Sequence, residues 1–137
     1  MTKGCSRHNL TKAVAVWAAT VSNFTGYDSM WGPLRAPDSH HNLYPSTLDV
    51  PARMNATVFR KMIEDVLPDL TEFKIWRDED FPIIVDEKKC SVFFRTLAEG
   101  VFDGGRPYTQ EYFLLQEWTR DGKLIQESWE MLDPNAI

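Results

Sequence analysis

At 137 residues the chain fits one domain, residues 1–137, and is long enough to bury a core without external staples. A net charge of −5, with no local cluster of Lys and Arg to offset it, excludes a phosphate-backbone binder, which needs a basic stripe, so no nucleic acid partner is expected. Five Trp, eight Phe and four Tyr supply rigid apolar surface for a core or for the walls of a ligand pocket.

In chain order, Val14, Trp17, Ala18 and Val21 follow the i, i+3, i+4, i+7 rule and predict a helix. It starts near Asn9 or Thr11, each a suitable cap, and ends between Asn23 and Gly26. The apolar stretch Ala13–Val21 follows basic residues, as in a leader peptide, but its helical period assigns it to the fold. A short helix is predicted over Ser29–Leu34. From Arg35 to Asn55, three prolines (Pro37, Pro45, Pro51) forbid one long helix and leave a partly extended stretch. It gathers His40, His41 and Tyr44 between Arg35 and Arg53. Phe59, Met62, Ile63 and Val66 restore the helical spacing, with Asn55 or Thr57 as cap and Pro68 as stop.

Beyond Pro68 the period turns extended. Strands are predicted over Phe73–Trp76, Phe81–Val85, Cys90–Ala98, Tyr108–Thr119 and Lys123–Leu132, the last two joined by an Asp121-Gly122 type I′ turn. Helices followed by antiparallel strands form the α+β pattern. Cys5 and Cys90 stand in no metal or redox spacing, so free thiols in a reducing, cytoplasmic compartment are expected rather than a disulfide. No apolar run is long enough to span a bilayer, and no membrane partner is expected. The sequons at Asn9, Asn23 and Asn55 matter only in a secreted chain and are read as silent.

With Asp121-Gly122 at its tip, the last hairpin pairs Trp118 with Ile125, Gln116 with Glu127, Leu114 with Trp129 and Tyr112 with Met131. This register puts those eight residues on the inner face and Glu111, Phe113, Leu115, Glu117, Gln126, Ser128 and Glu130 outside. A one-residue bulge would exchange the faces.

The order helix, short helix, edge strand, helix, curved antiparallel sheet resembles the NTF2-like cone-shaped α+β barrel. The local sequence is more specific. Arg35-Ala36-Pro37-Asp38, His41, Leu43-Tyr44-Pro45-Ser46-Thr47-Leu48, Pro51-Ala52-Arg53-Met54-Asn55, Glu111-Tyr112, Asp121-Gly122 and Glu130-Met131-Leu132-Asp133 resemble a fungal SnoaL-like group. That group includes the isomerases of terretonin- and austinol-type meroterpenoid pathways, and the resemblance covers roughly residues 9–133. It implies a homodimer with a cofactor-free pocket in each cone, and acid–base rearrangement, cyclisation or dehydration of a small polycyclic substrate. The chain departs from the pattern at Ser39, where relatives carry cysteine, and at His40, where they lack histidine.

The expected catalytic groups are His41, Tyr44, Glu127 and Glu111. His41 is at the family position and titrates near neutral pH, which suits a proton shuttle; its alternative role is a hydrogen-bonded strut between strand and helix. Tyr44 would donate to a developing enolate, or else pack the cone mouth. Glu127, among Trp118, Trp129 and Met131, would be poorly solvated with a raised pKa, unless the register leaves it in water. Glu111 matches the family pattern but falls on the other face, as does Glu130, which is read as structural or at the dimer interface. Substrate-binding roles are expected for Arg53, His40, Tyr112, Gln116, Trp118 and Trp129, and a structural ion pair for Arg35. No HExxH, CxxC, Gly-rich phosphate loop or nucleophile elbow is present, so neither metal nor cofactor is expected. The rival functions are a dehydratase or aldol-type cyclase on an aromatic polyketide, and a non-catalytic binding or scaffold module.

Overall fold

A computed structural model describes residues 3–22, 34–66 and 69–136. Ser6 caps the first helix, α1 (Arg7–Ser22): its Oγ accepts from the Asn9 N–H at 3.2 Å, and its carbonyl accepts from Leu10 at 2.9 Å. The helix therefore starts before either predicted cap. Leu10, Val14, Trp17 and Val21 form its buried face. The helix predicted over 29–34 and the stop at Pro68 fall largely or wholly outside the described residues. Strand β1 (Arg35–Tyr44) and the short β2 (Arg53–Met54) precede α2 (Ala56–Val66). Asn55 is the cap of α2, its Oδ1 accepting from the Val58 N–H at 3.0 Å.

The remaining strands are β3 (Leu70–Arg77), β4 (Ile84–Asp86), β5 (Ser91–Phe102), β6 (Pro107–Trp118) and β7 (Ile125–Leu132). The strand predicted over Phe81–Val85 is confined to Ile84–Asp86, because the Phe81 N–H closes a turn onto the Asp78 carbonyl instead of joining a ladder. The sheet runs β2-β1-β7-β6-β5-β3 with β4 on β5, and every pairing is antiparallel except β1 with β7. The Arg35–Asn55 stretch thus opens with a strand inside the sheet. The inner face of the sheet packs against α1 in one apolar cluster that includes Trp17, Val92, Phe94, Leu114 and Trp118. A second cluster (Leu43, Met54, Phe59, Ile63) seats α2, and Leu132 touches both.

The β6–β7 connection is not a type I′ turn. Only Gly122 of the pair has positive φ, at 71°, and the Thr119 N–H reaches the Leu124 carbonyl at 2.7 Å around a longer loop. A Cβ on Gly122 would lie 2.1 Å from the Gly4 carbonyl oxygen, so the N-terminal segment packs directly on this loop. Cys5 and Cys90 are joined there as a disulfide, against the expectation of free thiols. The two residues are 85 positions apart, and the fold closes that gap by laying the N-terminus across the β4–β5 turn.

The hairpin register decides which side chains enter the cone. Trp118 pairs with Ile125 as expected, but Glu117 then pairs with Glu127 and Gln116 with Ser128. Gln126 is a one-residue bulge, and beyond it the faces of β7 exchange. Ser128, Glu130 and Leu132 join Gln116, Leu114 and Tyr112 inside. Glu127, Trp129 and Met131 lie outside with Glu117, Leu115 and Phe113. The neighbouring strand is irregular at the same level: the β1–β7 register slips between Arg35 and His40, where Pro37 has no N–H to give. Gln126 Nε2 donates to Asp38 Oδ1 at 3.1 Å and ties the two irregularities together.

Candidate active site

On β1, alternation places His41 inside and His40, Asn42 and Tyr44 on the opposite face. His41 is 1% exposed and lies edge-on to Phe59 of α2, ring centroids 4.9 Å apart. Its parallel register partner is Ser128. His41 Nδ1 and Ser128 Oγ are 2.6 Å apart, and Arg35 Nη1 donates to the same Oγ at 2.7 Å. On the other side, His41 Nε2 and Glu130 Oε1 are 2.8 Å apart. A buried string therefore runs Arg35–Ser128–His41–Glu130. Burial pushes the His41 imidazole below its ordinary pKa, outweighing the upward pull of Glu130, and the Arg35 charge adds to the lowering.

Trp17 and Val21 of α1, Phe59 of α2, and Ile75, Tyr112 and Leu114 of the sheet enclose this string with Arg35, His41 and Glu130 around a cavity of about 20 Å³. The Tyr112 hydroxyl lies 3.0 Å from that of Tyr108. Burial, then Tyr108 and Glu130, hold the Tyr112 phenol well above its usual pKa, so it is a neutral hydroxyl at physiological pH.

Tyr112, Gln116 and Trp118 do lie on the inner face as expected. Gln116 and Trp118 are buried and do not line the cavity, and the Gln116 amide and Trp118 Nε1 have no hydrogen-bond partner among the described residues. Several expected site residues lie elsewhere. Tyr44 points to the outer face, opposite Met131. Glu127, expected in an apolar pocket with a raised pKa, is on the outer face with a lowered one. Its partial burial acts upward, but Arg53, through two hydrogen bonds of 3.0 Å, and Asn42, at 2.7 Å, outweigh it. This pairing also takes Arg53 away from the cone, and His40 sits 4.0 Å from the same carboxylate. Glu111 is exposed on the outer face and pairs with Arg95, which also holds Asp78. Trp129 is outside with Leu115.

Two members of the string escaped the sequence reading. Glu130 was visible in the family pattern but was placed outside by the unbulged register. Ser128 carried no motif; only its alternation with Glu130 on a correctly registered β7 marks it. Arg35, expected in a structural ion pair, donates through Nη1 to the Ser128 hydroxyl. Among the described residues no group of three or more His, Cys, Asp or Glu side chains is arranged to hold a metal.

Compared with solved structures, the chain superposes on PrhC from Penicillium brasilianum with a TM-score of 0.84 at 20% identity, covering 95% of this chain and 83% of that one. It superposes on the BvnE pinacolase from Penicillium brevicompactum with a TM-score of 0.83 at 21% identity, covering 95% and 86%. An NTF2-like protein from Anabaena variabilis matches at a TM-score of 0.68 and 11% identity, covering 98% and 93%. The fold is NTF2-like. The cone-shaped α+β barrel expected from the order of elements is therefore correct, with the N-terminal helix packed on a curved sheet. No family profile matches the sequence, and no curated protein matches it. Within this NTF2-like cone the buried string occupies the inner wall, at the level where α1 and α2 cover the sheet.

Proposed function

We propose that this protein is a cofactor-independent isomerase or cyclase that rearranges a polycyclic fungal secondary metabolite, of meroterpenoid class, by acid–base catalysis. The observation that carries the reading is the His41–Glu130 pair, an imidazole and a carboxylate in contact on the inner wall of a cone with apolar lining. Such a pair is suited to taking a proton next to a carbonyl and returning it at another carbon. Tyr112, a cavity-lining phenol kept neutral by burial, would donate to the developing enolate in the role expected of Tyr44. The neighbours support a rearrangement, since one of them is named a pinacolase.

The enclosed volume of about 20 Å³ favours a second reading. It fits one water, whereas a polycyclic ligand needs a few hundred Å³, on the order of typical pockets. The first reading therefore requires the helices or side chains over the string to part on binding. If they do not, the cone is a binding or scaffold module. Incubating the purified protein with polycyclic ketones in D2O, without added metal, separates the readings. Deuterium at carbon in a product of otherwise unchanged composition supports the isomerase; loss of water supports the dehydratase or aldol-type cyclase; no turnover of any ketone favours the module.

The outer face supports a homodimer. Phe113 and Met131 are register partners there, 38% and 48% exposed, and Phe113 continues into a ring cluster with Phe81 and Phe93. Contiguous apolar surface of this kind on a sheet is suited to a second copy of the chain. No helix among the described residues is long and apolar enough to cross a membrane.

A further inference from the structure

The proton positions in the buried string follow from counting donors. A guanidinium only donates, so Arg35 Nη1 takes one lone pair of Ser128 Oγ. Ser128 has one hydroxyl proton and is 0% exposed, and the other group its hydroxyl meets is His41 Nδ1 at 2.6 Å. Were Nδ1 protonated, it too would donate to Oγ, and the serine proton would have no acceptor among the described residues, at the cost of an unmade hydrogen bond. With the serine proton directed at a bare Nδ1, every donor is satisfied. The imidazole proton is then on Nε2, directed at Glu130 Oε1 at 2.8 Å.

We infer that Arg35 and Ser128 lock His41 as the neutral Nε2–H tautomer, so that Glu130 is the group that exchanges the proton with substrate and His41 is a positioning residue. Both ring nitrogens of His41 are occupied, which leaves it none with which to meet a ligand. The Glu130 side chain is 15% exposed and lines the cavity, and its Oε2 makes no hydrogen bond among the described residues. An imidazolium is disfavoured here: it would place a second cation on the serine that already holds the Arg35 guanidinium. Among the described residues, the charges acting on His41 are Arg35 on its own strand, Glu130 on β7 and, from the outer face, Glu127; Tyr112 of β6 lines the same cavity, and Phe59 of α2 meets the ring.

The inference rests on the acid–base reading of the cone and assigns its step. The Glu130 carboxylate takes a proton from the carbon next to a substrate carbonyl. The C–H bond breaks, an O–H bond forms on Glu130, and the electron pair moves to the carbonyl oxygen as an enolate. The carboxylic acid then returns the proton to another carbon of the conjugated system, so no oxidant or reductant is needed. His41 N–H steadies the carboxylate throughout and keeps its own proton.

Two measurements decide it. In 15N-labelled protein near neutral pH without ligand, the two-bond correlation spectrum of His41 should show Nε2 protonated and Nδ1 bare. In Ser128→Ala the preference should give way to a mixture. A protonated Nδ1 or an imidazolium in the unmodified protein overturns the inference, whether or not any substrate is turned over. With a ketone that the protein converts, His41→Gln keeps an amide donor towards Glu130 and should stay within about tenfold of the parent rate, the worth of one hydrogen bond. Glu130→Gln should lose about a hundredfold or more. Equal losses in the two variants, both folded by circular dichroism, overturn the division of roles. If no ketone is converted at all, the functional reading fails, and the spectrum still decides the tautomer.

Discussion

Cys5 lies just ahead of α1, and its bond to Cys90 fixes the start of that helix to the edge of β5. Because α1 supplies Trp17 and Val21 to the cavity wall, the clip steadies the lid of the site as well as the chain. The closed loop spans 85 residues. In the chain-entropy picture a loop of this length removes roughly 15 cal/mol/K from the unfolded ensemble, or about 4.6 kcal/mol at room temperature. Unfolding entropy of about 2.1 cal/mol/K per residue converts this into a fall in Tm of roughly 15 °C for a domain of this size. The assay is calorimetry with and without a phosphine reductant, alongside Cys5→Ala/Cys90→Ala. Reduction keeps both sulfurs in the core, so it isolates the loop effect; the double alanine variant should fall further, because both sulfurs are buried. Two titratable thiols in protein purified without reductant, or a fall of less than about 3 °C on reduction, would refute the reasoning.

The depressed pKa of His41 carries a pH signature. Below about pH 6.5 the unfolded chain binds a proton at this position that the folded chain resists, so stability present above that pH is lost as pH falls towards the folded pKa. Tm should drop on going from neutral to mildly acidic buffer, and less steeply in His41→Gln; an unchanged slope counts against the buried neutral imidazole. Arg53→Ala should barely move Tm, since Arg53 is 58% exposed, and should leave turnover intact because its partner Glu127 faces outward. A loss comparable to that of Glu130→Gln would put the outer face into the site. Phe113→Asp with Met131→Asp should convert a dimer to a monomer by light scattering, while an unmodified protein that runs as a monomer contradicts the proposed interface.

The parts of the fold legible in the sequence are those set by local periodicity. Val14, Trp17 and Val21 bury one stripe of α1, and Asn55 caps α2, because three- and four-residue spacing and a capping side chain act within one turn. The disulfide was not legible. It joins residues 85 positions apart, and nothing local to Cys5 or Cys90 reports the approach of Gly4 to the β6–β7 loop. The placement of His41 inside and His40 outside was half legible: alternation requires that adjacent residues face oppositely, but only pairing with Ser128 settles which is which.

Site chemistry was least legible where it hung on one residue. In an unbulged hairpin, Glu127, Trp129 and Met131 would enter the cone, and a carboxylate would sit among aromatic rings without a partner. The bulge at Gln126 sends Glu127 out to Arg53 and Asn42, which donate to its carboxylate on the outer face. The same step brings in Ser128, the register partner of His41, and Glu130, two residues further along, and they meet the two nitrogens of a single imidazole. Spacing explains the fit: on a strand, residues i and i+2 share a face about 7 Å apart, a gap that one imidazole and two short hydrogen bonds span. A serine and a glutamate two apart on β7 are therefore matched to one histidine on the parallel strand β1. Pro37 contributes by breaking the β1 ladder below this level, so that β1 realigns with the bulged β7 from His40 onward. Deleting Gln126 would remove the bulge yet leave Glu127 opposite Glu117 and Ser128 opposite Gln116, so the string should stay inside the cone and the His41 tautomer spectrum should match that of the parent; a spectrum like that of Ser128→Ala would show that the bulge itself, and not only the register it sets, holds the string.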